Sequence, residues 1–257
     1  MPAELKTSSH GATMVLTLHN PEQRNTLGPA MYAAGIEALN AAGPEVRSVV
    51  IVGSGGFFCA GGDLQRLQHN RQQPREVQSQ SIDALHLWLE EIRSFPCPVI
   101  AAVEGAAAGA GFSLALGCDF IVAASNSVFA MSYTGVALSP DGGGSWQLAR
   151  ALPRQLASEL IMLGQRIDAE RLRHFGIVNR VCAPGSALDE ALALAEQLNQ
   201  RAPNALASVK ELLSGAMDSP LSPHLPKERE HFVNNLHHPN AGIGIGAFLG
   251  KTRPEYE

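Results

Sequence analysis

The sequence predicts an α/β fold with a largely buried sheet, followed by a helical C-terminal part. Two observations carry this prediction. RSVVIVG (47–53), CPVIAAVEG (97–105) and DFIVAAS (119–125) have continuous apolar centres, as expected of strands covered on both faces. Segments of helical length and spacing lie between and after them, and strands alternating with helices are the pattern of α/β architecture.

The elements follow in order. TMVLTLH (13–19) is rich in β-formers and partly alternates apolar and polar residues, which predicts a half-buried strand. In GPAMYAAGIEALNAAG (28–43), Met31, Ile36 and Leu39 fall near helical spacing, and Gly43 marks the end. The polar stretch 65–81 has few apolar anchors and predicts a mobile loop or a frayed helix. AAAGAGFSLALGC (106–118) is long enough for a helix. Helices are predicted over 153–163, 168–176, 186–200 and 203–217, with a brief strand at 178–182. Asp168 sits where an N-cap belongs and Gly176 where the C′ glycine belongs. Leu188, Leu192, Ala195 and Leu198 form one apolar stripe. No internal repeat is evident.

Composition narrows the function classes. The 257 residues are 45% hydrophobic and 17% charged, enough to bury a sizeable core. The formal charge of −5 gives no basic footprint for nucleic acid. An anionic ligand must therefore meet a local basic group or backbone N–H donors. No apolar run reaches membrane-spanning length. The N-terminal stretch lacks the basic-then-apolar pattern of a signal peptide, so a cytoplasmic location is expected. Cys59, Cys97, Cys118 and Cys182 show no C-x-x-C spacing and read as reduced thiols, not as a disulfide frame or a zinc site.

Three segments hold candidate chemistry. FFCAGGDL (57–64) follows a strand, and its glycines let backbone N–H groups face a ligand, with Asp63 as helix cap. EGAAAGAGFSLALGCD (104–119) again follows a buried strand and presents the free N–H groups of a helix start. Either is an ordinary turn when taken alone. Together they describe an oxyanion hole made of backbone. SPDGGGSW (139–146) holds Asp141 between proline and glycines, a grammar that favours a turn or a helix cap.

Competing readings are weaker. GFSLA (111–115) approaches the G-x-S-x-G elbow, with Asp141 or Asp168 and His174 or His231 completing a triad around Ser113. Ser113 falls inside a predicted helix, however, and Ala115 replaces the last glycine. His237 and His238 are adjacent and do not share a helix face, so they do not suggest a metal site. GIGIGAFLG (242–250) is not a dinucleotide fingerprint, and GGGSW (142–146) lacks the lysine of a phosphate loop. Lys251 and Arg253 read as a solvated end that is also able to meet a phosphate. His69 and His86 bracket the polar stretch and read as surface residues, with an acyl-pocket role as the alternative.

These segments, in this order, resemble the enoyl-CoA hydratase/isomerase (crotonase) family. The resemblance rests on NPEQRNTLG (20–28), FCAGGDL (58–64), the central stretch 101–153 and GQRIDAERLRHFGIVNRVC (164–182). It implies a spiral of ββα units over residues 1–200 and a helical region over 201–257 that forms a homotrimer or a dimer of trimers. It implies an acyl-coenzyme A substrate, with no metal or redox cofactor. By position, the N–H groups of Gly62 and Ala110 would bind the thioester oxygen. Arg24, Ala60, Gly61, Asp63, Leu64, Gly109 and Pro140 would contact the substrate, and Phe248 and Lys251 would reach the coenzyme A of a neighbouring subunit.

One departure matters. Hydratases of this family carry glutamates at the positions of Ser113 and Tyr133. Syn addition of water needs one group to deprotonate water and one to deliver a proton, and serine and tyrosine replace carboxylates poorly. The loop around Asp141 instead resembles branches in which an aspartate is the acid/base or the nucleophile, including ring-processing isomerases and hydrolases of aromatic-acid degradation. The expectation is therefore double-bond isomerisation or ring opening with Asp141 moving a proton. An atypical hydratase and a catalytically silent acyl-CoA-binding protein are the alternatives.

Overall fold

The computed structural model describes residues 3–257; Met1 and Pro2, the start of the N-terminal stretch discussed above, lie outside the described residues. The strands are β1 (Glu4–His10), β2 (Thr13–His19), β3 (Ser48–Gly53), β4 (Val99–Val103), β5 (Ala106–Ala108), β6 (Phe120–Ala124), β7 (Val128–Ala130), β8 (Arg166–Asp168) and β9 (Arg180–Cys182). The helices are α1 (Pro29–Asn40), α2 (Leu64–Asn70), α3 (Arg75–Ser94), α4 (Ala110–Gly117), α5 (Gly144–Ala151), α6 (Arg154–Met162), α7 (Ala169–His174), α8 (Ala187–Asn199), α9 (Pro203–Ala216), α10 (Leu221–Leu236) and α11 (Pro239–Gly250). No helix among the described residues is long and apolar enough to cross a membrane.

The strands form a six-stranded sheet in the order β1-β2-β3-β4-β6-β9 and a three-stranded sheet in the order β5-β7-β8. From β2 to β9 the large sheet is parallel. The chain visits both sheets in each turn. After β4 it crosses to the small sheet as β5 and enters α4. After β6 it crosses as β7, and a loop then leads into α5. After β3, Cys59 makes a parallel bridge to Ala107 of β5, and the chain enters α2. Three strand–strand–helix turns are thus stacked side by side, and the loops that precede α2, α4 and α5 come to one edge.

The strand sequences explain why both faces of the large sheet are covered. Val49 and Ile51 of β3 pack into the main core with Trp88 and Phe112, while Val50 and Val52 point to the other face. There α8 covers them with Ala187, Ala191, Leu194 and Ala195. Of the predicted α8 stripe only Ala195 lies in this buried line; Leu188, Leu192 and Leu198 flank it, half-buried. Small residues face the sheet because the helix packs closely over β3, β4 and β6. Asp168 caps α7 by accepting from the Arg171 N–H at 2.7 Å, and Gly176 takes the left-handed conformation after that helix, φ 78°, as expected.

Two expectations are corrected in part. Of the mobile loop and the frayed helix expected over 65–81, the structure has helix, α2 and the first turns of α3, joined by a turn at 71–74. Its anchors are polar: Asp63 accepts from the N–H groups of Gln65 and Arg66, Arg66 Nη1 donates to Ser81 Oγ at 2.7 Å, and Asn70 Nδ2 donates to Gln78 Oε1 at 2.8 Å. The apolar face of α3, Leu85, Trp88 and Ile92, begins only beyond this stretch. The second correction concerns 106–118, which is a short strand and then a helix. The break falls at Gly109, φ 51°, and the helix starts at Ala110. β1 escaped prediction because it is a polar edge strand, held by antiparallel pairing to β2. The glycine-rich segment 242–250 lies in α11.

The C-terminal helices are tied to the core by Lys210 of α9. Its Nζ sits 2.7 Å from Asp119 Oδ2 and donates to the carbonyls of Ile92 and Cys97. A second constraint is steric. Gly35 of α1 faces the fully buried indole of Trp88, and a Cβ at Gly35 would overlap that ring. Gly35→Ala is expected to destabilise the protein by about 1–3 kcal/mol despite alanine's better helix propensity, because overpacking outweighs it. Denaturant unfolding checks this; unchanged stability would show that α1 can move away from α3.

Candidate active site

The edge where the three loops meet encloses a cavity of about 610 Å³. Its walls come from the loops before α2, α4 and α5, from Tyr32 of α1, and from α2 and α3. Gly62 and Ala110 both border it, and neither N–H has an acceptor among the described residues. The two loops touch each other at Gly61. That residue has φ 92°, and a Cβ there would lie 2.6 Å from the Ala108 carbonyl oxygen and 3.3 Å from the Ala110 nitrogen. Only glycine fits this approach. Cys59 supports the same loop, its Sγ accepting from the Gly61 N–H at 3.3 Å. Burial pushes the Cys59 thiol up to about 12, so it remains a neutral packing group.

The same cavity is bordered by Asp141. The glycines after it turn the chain, with Gly142 at φ 59° and Gly143 at φ 75°. The Asp141 side chain does not cap α5. Its Oδ1 accepts from the Tyr133 hydroxyl at 2.6 Å, and its main-chain oxygen accepts from Ser113 Oγ at 2.9 Å. Oδ2 has no partner among the described residues, and Asp141 borders the cavity. Burial, with the Asp141 carboxylate beside it, pushes the Tyr133 phenol far above its ordinary range. Tyr133 is therefore a fixed donor that holds one carboxylate oxygen. Tyr133 and Ser113, singled out as departures in the sequence, both hold Asp141 in place.

Other residues named from the sequence are distributed as follows. Ala60, Leu64, Gly109, Pro140 and His86 border the cavity; Gly61, Ser113 and His69 do not. Asp63 is the α2 cap. Arg24 is exposed at φ 52°; its carbonyl accepts from the Ala60 N–H at 2.9 Å, and its guanidinium lies 5.4 Å from the Phe57 ring centre. Phe248 and Lys251 stand exposed at the end of α11 and do not border the cavity of their own chain. The serine-triad reading fails on geometry. Ser113 is fully buried and bonded to a carbonyl, and neither His174 nor His231 borders the cavity. Tyr32, Arg66 and Ser81 escaped the sequence reading, because α1 read as a packing helix and 65–81 as a mobile loop or a frayed helix.

This arrangement offers two unpaired backbone donors facing a space that also holds a poised carboxylate. The profile of the enoyl-CoA hydratase/isomerase family matches residues 8–257. The chain belongs to the enoyl-CoA hydratase/isomerase family. Carnitinyl-CoA dehydratase of Citrobacter koseri is 34% identical, over 100% of this chain and 99% of that protein. The crystal structure of an enoyl-CoA hydratase from Polaromonas sp. JS666 is 66% identical, with a TM-score of 0.98 over 99% of this chain and 100% of that one. Enoyl-CoA hydratase from Bacillus anthracis superposes with a TM-score of 0.92 at 28% identity, over 98% of each chain. The stacked strand–strand–helix turns are the crotonase fold, as the sequence implied, and the chain is an acyl-CoA enzyme of this family.

Proposed function

We propose that this enzyme isomerises, or opens the ring of, an unsaturated or cyclic acyl-CoA, with Asp141 moving the proton. The observation that carries this reading is that Asp141 is the sole carboxylate bordering the cavity among the described residues. The Asp141 carboxylate removes a proton from the carbon next to the thioester or conjugated with it. The electron pair moves onto the thioester oxygen, giving an enolate that the Gly62 and Ala110 N–H groups hold. The new carboxylic acid then returns the proton at the other end of the conjugated system. Fixed donors favour the enolate over the neutral thioester, which lowers the barrier. One carboxylate suffices for this isomerisation; ring opening adds water, which Asp141 deprotonates for attack on a ring carbonyl, so that the ring C–C bond breaks to the enolate and the proton then returns to carbon. Coenzyme A is part of the substrate, and the cycle calls for no metal or redox cofactor.

The names of the relatives favour a second reading, hydration or dehydration, in which Tyr133 would serve beside Asp141. A panel of 2-enoyl, 3-enoyl and cyclic acyl-CoA thioesters, incubated in heavy water and followed by mass spectrometry, separates the readings. Isomers that exchange hydrogen without gaining water are expected, or a ring-opened product that gains one water from the cyclic thioester. Products that gain one water from the 2-enoyl thioester would favour the lyase reading. Binding without turnover across the panel would leave an acyl-CoA-binding protein. The helical C-terminal region supports assembly as a trimer or a dimer of trimers: Leu213, Leu221, Phe232, Phe248 and Leu249 are exposed on α9–α11, an apolar surface suited to burial against further copies.

A further inference from the structure

The cavity has a second polar feature besides the oxyanion donors and Asp141. Tyr32 of α1 is only 3% exposed, and the Arg66 side chain is its hydrogen-bond partner. The residue borders the cavity, and with Arg66 donating to the phenol oxygen, the O–H hydrogen itself has no acceptor among the described residues. Arg66 of α2 borders the same space. Its guanidinium donates to Ser81 Oγ at 2.7 Å and to the Leu27 carbonyl at 3.5 Å. With the bond to Tyr32 they use three of its five N–H groups, and the Nε–H is sealed in the interior without a partner. No carboxylate lies within 4.0 Å of it among the described residues, unlike Lys210, whose buried charge is matched by Asp119. The cavity thus contains a neutral phenol donor and a cation without an ion-pair partner. Burial pushes the Tyr32 phenol up to about 12, with Arg66 opposing, so it stays protonated. A saturated or enoyl hydrocarbon tail would leave the Tyr32 O–H desolvated without an acceptor and the Arg66 charge without a counter-charge, which is costly.

We propose that Tyr32 and Arg66 form a specificity subsite that reads a hydrogen-bond-accepting oxygen on the acyl group, most strongly a carboxylate. The inference rests on the acyl-CoA reading of the cavity, and it adds a substrate class: acyl groups that carry oxygen beyond the thioester. The rest of the cavity agrees. Leu64, Leu67, Ile82, Leu85 and Val136 supply apolar contact for a carbon skeleton. Tyr32 is held by its own helix and by its ring contact with Trp88, 6.3 Å between centroids, so the phenol is set before a ligand arrives.

The test uses saturated thioesters, which bind without reacting. Butanoyl- and hexanoyl-CoA are compared with the thioesters of equal length that end in a carboxylate, by calorimetry on the full chain. The better carboxylate thioester is expected to bind at least about tenfold tighter than its hydrocarbon counterpart, as a charge-assisted hydrogen bond predicts. Tyr32→Phe and, independently, Arg66→Met are each expected to erase most of this preference, lowering carboxylate affinity and holding or raising hydrocarbon affinity, since a stranded donor is removed. Tyr32→Phe removes one oxygen atom from a packed ring, so it keeps the test valid if Arg66→Met fails to fold. Equal affinities in the wild type, or variants that lose both ligands in parallel, would overturn the subsite alone. Failure of every thioester to bind would overturn the acyl-CoA reading and the subsite with it.

Discussion

Asp141→Asn is expected to lower kcat about a thousandfold, within the range of a lost general acid/base, while acyl-CoA affinity stays close to that of the wild type. Asparagine keeps the shape of the side chain, and its amide oxygen can still accept from Tyr133. The two glycines still form the turn, so the loop keeps its course. What disappears is the ability to take up a proton and return it. The effect therefore appears in kcat, and substrate binding reports that the cavity is intact. Steady-state kinetics on the best thioester of the panel, with affinity for a saturated thioester measured in parallel, decides the matter. Turnover that persists in the variant would return Asp141 to a turn residue and move the proton chemistry to another cavity residue, His86 or Tyr32 first.

The second large effect concerns a backbone atom. Ala110→Pro is expected to reduce kcat about 10²–10³-fold, the cost of losing one oxyanion donor. The position tolerates the ring. Ala110 is the first residue of α4, where proline's fixed φ suits the helix and its missing N–H breaks no helical bond. The preceding residue is Gly109, so the ring meets no Cβ there. The proline removes the donor and places its Cδ where the oxygen would sit. Both consequences fall on the reacting thioester and not on the fold. Unfolding by denaturant should match the wild type within about 1 kcal/mol, the scale of a tolerated proline. A folded variant with undiminished turnover would exclude Ala110 as an oxyanion donor.

The two expectations differ in how they became visible. Asp141 drew attention as a carboxylate set in turn grammar, and the family resemblance gave it a chemical reading. The sequence left Ser113 and Tyr133 as two gaps in a hydratase pattern. The structure joins them: both side chains donate hydrogen bonds to Asp141, one to its carboxylate and one to its main chain. Nothing in the residue types or their spacing states that relation, because residues 113, 133 and 141 converge only when the second and third turns of the spiral stack. Arg66 and Tyr32 were hidden for a related reason. The helix that carries Arg66 is stabilised by polar cross-links to Ser81 and Gln78, and polar anchors leave no apolar period to read.

By itself, the sequence determined the buried strands of the large sheet, helices α1, α4 and α6–α9, the capping signals at Asp63, Asp168 and Gly176, and the two glycine-rich starts that present backbone donors. These are local properties, set by side-chain period, by β-branching and by which residues accept a positive φ. The tertiary structure alone decided that the donors of residues 62 and 110 share one cavity, that Tyr133 holds Asp141, and that a phenol and a guanidinium without a counter-charge border the same space. Those facts depend on parallel pairing between strands far apart in the chain, on β1 closing an edge with polar residues, and on α2 and α3 folding over the cavity through side-chain hydrogen bonds. Their energetic basis is contact across the fold, and one-dimensional patterns do not record such contacts.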